Sequence, residues 1–303
     1  LYLTDGQPRS IKYANTGSGE YDDVPIYDSP TKYADEKMYL QLKTGLNIGF
    51  FRLSLQKYVQ AELAFQGALN TVFQGFGGAD NMGFDGVFFF GFNTRFFDMV
   101  SVRVGLQHYS GHYGDETLAK LTGQSGFPIE YTRDNNLLVG LAVQPVSFAR
   151  LYAEASVPMT NTWMHPAIHI PSFLIKRTNN ESLHDQEARS EDIAPTLFGD
   201  TYKAWILNAG SELRLPIRNV GSLLLAFDVM AHQDGQTKHS PGGYDEENPW
   251  ELEYTVGLGL EFFDELTKGC ARIMITYHDG RFPLLNYFYH RTKYFAAGFM
   301  VSM

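Results

Sequence analysis

The links between alternating segments of this chain come in two lengths, and the lengths themselves alternate. From about residue 39 onward, period-two segments are joined tightly at Arg52–Gln56, Arg95–Asp98, Gln144–Phe148, Pro216–Val220 and Asp264–Gly269. Between these lie long polar stretches: Thr71–Asn81, Gly111–Ile129, Thr160–Thr201, Gln233–Pro249 and Asp279–Phe288. A chain that turns tightly at every second link gathers its hairpin turns at one end and its loops at the other. A transmembrane up-and-down antiparallel β-barrel has this asymmetry, with short periplasmic turns and long extracellular loops. The pattern therefore predicts an all-β barrel in the bacterial outer membrane, part of a Gram-negative cell envelope.

Within the segments the alternation is regular. Leu40, Leu42, Leu46, Ile48 and Phe50 share one face, opposite Gln41, Lys43, Gly45 and Asn47. Val100, Val102, Val104 and Leu106 oppose Ser101, Arg103, Gly105 and Gln107; Leu252, Tyr254, Val256, Leu258 and Leu260 oppose Glu251, Glu253, Thr255 and Glu261. Successive strand residues point to opposite faces, so these segments are strands with one apolar and one polar face. A soluble β-sandwich also alternates, but it has no reason to sort turn lengths by end. Its strands rarely exceed the usual length of about 5–6 residues.

Eleven segments follow Met38, and the first of them ends in a tight turn, so it runs from the loop end to the turn end. Bacterial barrels have even strand numbers, which calls for one more strand upstream and about twelve in all. The candidate lies within Gln7–Tyr13, on Ser10 to Tyr13, with Asn15–Lys37 as the first external loop. The chain then divides into a segment 1–37, with that strand and loop, and a barrel 38–303 with its long loop at 160–201. The closing stretch, Gly298-Phe299-Met300-Val301-Ser302-Met303, resembles the C-terminal assembly signal of outer-membrane barrels, with Met303 where an aromatic is usual.

Composition removes other classes. Among 303 residues no run approaches 18 apolar positions, so a transmembrane helix is excluded. Aromatic residues reach 15%, dominated by 23 Phe and 18 Tyr, as lipid-facing strands and interfacial girdles require. The net charge of −10, with no basic stripe, argues against nucleic acid. Cys270 is the single cysteine, so no internal disulfide forms. Leu1 opens the chain without a secretory leader, as in a processed, mature form.

On the face opposite the lipid, parity places Glu62, Arg95, Arg103, Arg150, Glu154, Glu212, Arg214, Asp228, Glu253, Glu261 and Arg272. Buried charges have to be paired, and the mixture of signs on neighbouring strands permits it. Such a lumen is either plugged or a narrow water-filled pore, and both remain open.

The densest chemistry lies where one strand runs into its loop: Gln107-His108-Tyr109-Ser110-Gly111-His112-Tyr113-Gly114-Asp115-Glu116. His108 and Ser110 are two apart and continue the lipid face of Val104 and Leu106. Counted from the shared turn end, Asn135 on the next strand lies at the height of His108. This set resembles outer-membrane phospholipase A. The resemblance implies Ser110 as nucleophile, His108 as its base and Asn135 as the group that orients the base. That family follows its serine with Asn-Gly, where this chain has Gly111-His112, and no oxyanion donor stands out. The structural alternative is an interface-level polar cluster, in which His112, Asp115, Glu116 and Arg281 pin a loop to the rim. A broader resemblance, carried by the string from His108 to Glu116 and by Gly280-Arg281-Phe282-Pro283, is to a bacterial domain-of-unknown-function family with H-x-S-S-H-L-G-D-E and G-R-S-P strings. It implies a surface barrel and brings no activity.

Weaker sets are His165 with His169, and Tyr244-Asp245-Glu246-Glu247-Asn248, which a solvated loop explains better than a hard cation. No cofactor or metal is expected. The long loop 160–201, with Trp163, Phe173, Leu174, Ile175 and Phe198, is expected to fold over the barrel mouth or dock a partner. The expected role is a passive, porin-like narrow channel or a surface scaffold in contact with outer-membrane lipid, its loops offering contact to a protein partner. A lipid-acting hydrolase using Ser110, His108 and Asn135 is the alternative.

Overall fold

The computed structural model describes residues 2–4, 10–15, 20–25, 37–55, 58–75, 80–114, 129–159, 173–175, 205–218, 220–233, 250–263, 269–285 and 291–302. Its strands in chain order are β1 (Tyr2–Thr4), β2 (Ser10–Asn15), β3 (Glu20–Pro25), β4 (Met38–Leu55) and β5 (Val59–Gln74). Then come β6 (Asn81–Phe96), β7 (Val100–Tyr113), β8 (Ile129–Val146), β9 (Ala149–Pro158) and β10 (Phe173–Ile175). The last five are β11 (Ile206–Ile217), β12 (Gly221–Gln233), β13 (Trp250–Phe263), β14 (Cys270–Arg281) and β15 (Arg291–Ser302).

The long strands pair antiparallel in sequence order, β8 pairs with β9, and β1 sits between β15 and β4. The result is an all-β, transmembrane up-and-down barrel. The eleven long strands begin at Met38 as the alternation predicts, and β1 is the twelfth. It joins the first residues of β4 and the loop-end half of β15, with Tyr2 opposite Ala296 on one side and Tyr39 on the other. The upstream strand expected on Ser10 to Tyr13 therefore needs correction. Those residues do form β2, but β2 pairs with β3 in a separate two-stranded sheet. A hairpin so close in sequence satisfies its backbone locally, leaving Tyr2–Thr4 to the barrel.

Leucine, isoleucine and phenylalanine side chains face outward and stay exposed, as at Phe92, Leu141 and Ile275. That is the reverse of a soluble protein and what a hydrocarbon surround requires. One irregularity changes the inner wall. The β4–β5 register shifts between Gly49 and Phe51. Phe50 and Phe51 are both exposed, at 62% and 65%, and beyond them parity inverts. A β-bulge does this, and it turns Arg52 inward, where its Nε donates to Glu62 Oε2 at 2.9 Å.

The loop-end half of the lumen is packed. Tyr39, Val72, Phe89 and Leu138 are buried there together with Phe282 and Leu284, which belong to a strap leaving β14. Phe282 meets Tyr39 edge to face at 5.5 Å. Asn70 Nδ2 donates to the Pro283 carbonyl at 2.7 Å, and the Leu285 N–H donates to Asp85 Oδ1 at 3.1 Å. The strap thus ties β14 to strands four and five places round the ring. In the long loop 160–201, Phe173–Ile175 pair with Ile129–Tyr131 of β8; Trp163, Phe198 and the rest lie outside the described residues.

Candidate functional site

The site predicted from sequence lies on the outer surface of β6, β7 and β8, toward the loop end. Cross-strand register sets it. Val104 opposes Val139 and Phe92, Leu106 opposes Leu137 and Phe90, and this apolar wall then changes character at His108. His108 opposes Asn135 on β8 and Phe88 on β6. One step further, Ser110 opposes Gly86, and at the next step His112 opposes Phe84.

His108 Nδ1 lies 2.9 Å from Asn135 Oδ1. An amide oxygen only accepts, so Nδ1 carries the proton and donates. That fixes the tautomer and leaves the Nε2 lone pair as the basic site, which is what a neutral orienting group does for a catalytic histidine. The imidazole lies nearly parallel to the Phe88 ring, centroids 6.3 Å apart, so its plane is set from both neighbouring strands. His112 stacks in the same way on Phe84 at 4.8 Å.

Ser110 sits between the two histidines. A Cβ at Gly86 would stand 3.6 Å from Ser110 Oγ and 3.1 Å from Phe88 Cε2. The glycine therefore lets the Phe88 ring lie close over the β6 backbone beside the hydroxyl, and Gly86 itself is buried. Ser110 and His108 are not hydrogen-bonded to one another, so the structure brings His108 and Asn135 together and places Ser110 on the same face next to them.

The remaining predicted residues separate. Arg281 turns away from His112 and inward: its Nε donates to Glu251 Oε2 at 3.0 Å and its backbone N–H to Glu253 Oε2 at 2.8 Å. A rim cluster of His112 with Arg281 does not form, because one lies on the outer face of β7 and the other closes the inner face of β13 and β14. Asp115 and Glu116 fall outside the described residues, as do His165, His169 and Tyr244 to Asn248.

Inside, the charges placed by parity meet one another. Arg103 reaches Glu154, Arg150 and Arg214 reach Glu212, and Arg214 and Arg272 share Glu261. Asp228 accepts from the Tyr152 hydroxyl at 2.5 Å and from Asn208 at 3.0 Å, and Glu253 meets His232 at 2.8 Å. Sequence reasoning missed Arg52, hidden by the bulge. It also missed Arg291, which joins Glu251 to Asp279 at the rim. The charge of Arg291 was visible, but its partners lie on the two preceding strands.

Fold and site together define a membrane-spanning barrel with a polar His–Asn pair on its lipid-facing surface. Among solved structures it is similar to the outer membrane phospholipase A from Escherichia coli, with a TM-score of 0.53 and 12% identity over 99% of this chain and 88% of that one. A second similar structure is the NanC porin, with a TM-score of 0.39 and 9% identity over 87% of this chain and 99% of that one. No known protein family matches the chain, and no curated protein matches it in sequence.

Proposed function

We propose that this chain is an outer-membrane hydrolase acting on lipid esters, with Ser110 as nucleophile, His108 as general base and Asn135 as the orienting group. The observation that carries the reading is the His108 Nδ1–Asn135 Oδ1 bond on the outward face, which leaves Nε2 basic two residues from a serine. Support for the location and the substrate class comes from the Escherichia coli neighbour, which by name is an outer membrane phospholipase A and shares the fold along nearly the whole chain.

The chemistry is acyl transfer. Ser110 Oγ adds to the ester carbonyl as its proton passes to Nε2 of His108. The tetrahedral adduct then expels the alcohol, which takes that proton, and water hydrolyses the acyl-serine by the same route. Catalytic hydrogen bonds often close only with substrate in place, and Ser110 to His108 is the contact that has to form.

A passive channel is the weaker reading, because the strap buries Phe282 and Leu284 across the lumen. A sealed scaffold is compatible with that strap and is the second reading. The experiment is phospholipid hydrolysis by the chain refolded in detergent. The proposal expects turnover that falls to background in Ser110→Ala, with unchanged circular dichroism. Equal turnover in the variant, or none in the parent, overturns it.

A further inference from the structure

Below the strap, the turn-end half of the lumen opens into a cavity of about 260 Å³ that the lipid-facing chemistry does not use. Its walls are the inward faces of β4 to β9. Four arginines line it, Arg52, Arg95, Arg103 and Arg150, against two carboxylates, Glu62 and Glu154.

Arg52 is held by two hydrogen bonds to Glu62, whereas the other three cations are loosely held. Arg103 reaches Glu154 through a single contact of 3.3 Å, its Nε is buried without a partner, and its guanidinium lies 4.4 Å over the Phe89 ring. Arg150 makes one ion-pair contact of 3.3 Å, to Glu212, a carboxylate that Arg214 also uses, and lies 5.0 Å over the Tyr152 ring. Arg95 meets only its own turn, through the Asp98 carbonyl at 2.8 Å and the Asp98 carboxylate at 3.6 Å. Each of the four arginines has one carboxylate partner, Arg52 with Glu62, Arg95 with Asp98, Arg103 with Glu154 and Arg150 with Glu212, but only Glu62 and Glu154 line the cavity itself. The space beside Arg103 is kept by Gly140, where a Cβ would stand 2.8 Å from Arg103 Cγ and 2.9 Å from Glu154 Oε1.

Four planar guanidinium forks against two carboxylates at the wall of one small space suit a tetrahedral oxyanion better than a lone carboxylate, because each fork can present two N–H donors to two oxygens. Ligand pockets usually measure about 300–1,000 Å³, so this one holds a small solute and excludes an acyl chain or a protein segment. Its lining residues belong to the turn-end halves of their strands, and Arg103 lies over the Phe89 ring, so the cavity sits toward the turn, or periplasmic, end.

We infer that this pocket binds the phosphate group of a small solute on the periplasmic side. The test is isothermal titration calorimetry of the full chain in zwitterionic detergent at low ionic strength, with inorganic phosphate and glycerol 3-phosphate as probes. Saturable binding of one equivalent is expected, weakened about tenfold or more by Arg103→Gln and by Arg95→Gln, as loss of one charge-assisted contact implies. Arg95→Gln guards against misfolding, because Arg95 bonds only within its own turn. Tighter binding of glycerol 3-phosphate assigns the site to an organic phosphate, and equal affinity assigns it to the free ion. Ser110→Ala, on the other surface of the wall, leaves the affinity unchanged. Absence of saturable heat, or equal affinity in both arginine variants, overturns the inference.

Discussion

Polar side chains occupy both surfaces of this barrel wall, and the two surfaces treat them differently. Inside, the glutamates of β5, β9, β11 and β13 meet arginines, and even Asp228 has a tyrosine and an asparagine as donors. Outside, His108, Ser110 and Asn135 interrupt an apolar surface, and only one bond joins them. A polar group facing hydrocarbon is costly, and it is kept there when it has a use other than stability. On the proposed function, the contrast separates groups that hold the wall from groups that act on the lipid against it. Variants can break that separation.

The largest effect is expected at Asn135. Asn135→Ala frees the His108 ring and should lower lipid hydrolysis by roughly 10²–10⁴-fold, the usual worth of a positioned general base. Denaturant unfolding should hardly move, and a variant that loses stability but not turnover would make the outer cluster structural. Next come Val104 and Val139, which face each other outward in the apolar wall at 41% and 42% exposure. Arg at either position should cost about 2–4 kcal/mol if it lies near the midplane, measured as folding equilibrium in lipid. A cost near zero would remove lipid from this surface.

Smaller still is the effect of Glu261→Ala, which leaves Arg214 and Arg272 without their shared carboxylate on the inner wall. The expected loss is about 1–3 kcal/mol, with hydrolysis unchanged. Changed turnover would couple the two surfaces. The smallest belongs to the strap. Asn70→Leu removes the donor to the Pro283 carbonyl and should cost about 0.5–1.5 kcal/mol. Planar-bilayer recording should then show brief openings that the parent lacks; identical traces would show that apolar packing alone seals the lumen.

What the sequence disclosed follows from which constraints are local. Period-two alternation and turn length are local, so the long strands, the outward valines of β7 and most of the inward charges were legible. The neighbourhood of His108 and Asn135 was legible too, because both could be counted from a common end, with Val100 opposite Val143. Three residues cannot show alternation, so Tyr2–Thr4 passed unseen while Ser10 to Tyr13 looked like the missing strand. A bulge adds one residue with no compositional mark, which hid the inward turn of Arg52. The strap could not be read at all. Phe282 and Leu284 are buried by residues far away in the chain, and the Gly280 to Pro283 string gives no sign of where it packs.

The account rests on Ser110 being a nucleophile that faces lipid. The most direct measurement is labelling of the folded barrel in micelles with a fluorophosphonate, followed by mass spectrometry of the peptides. The account predicts one adduct, on Ser110, strongly reduced in His108→Ala and undiminished in Glu261→Ala. A correctly folded barrel that takes no label, or takes it on serines at random and irrespective of His108, would contradict it.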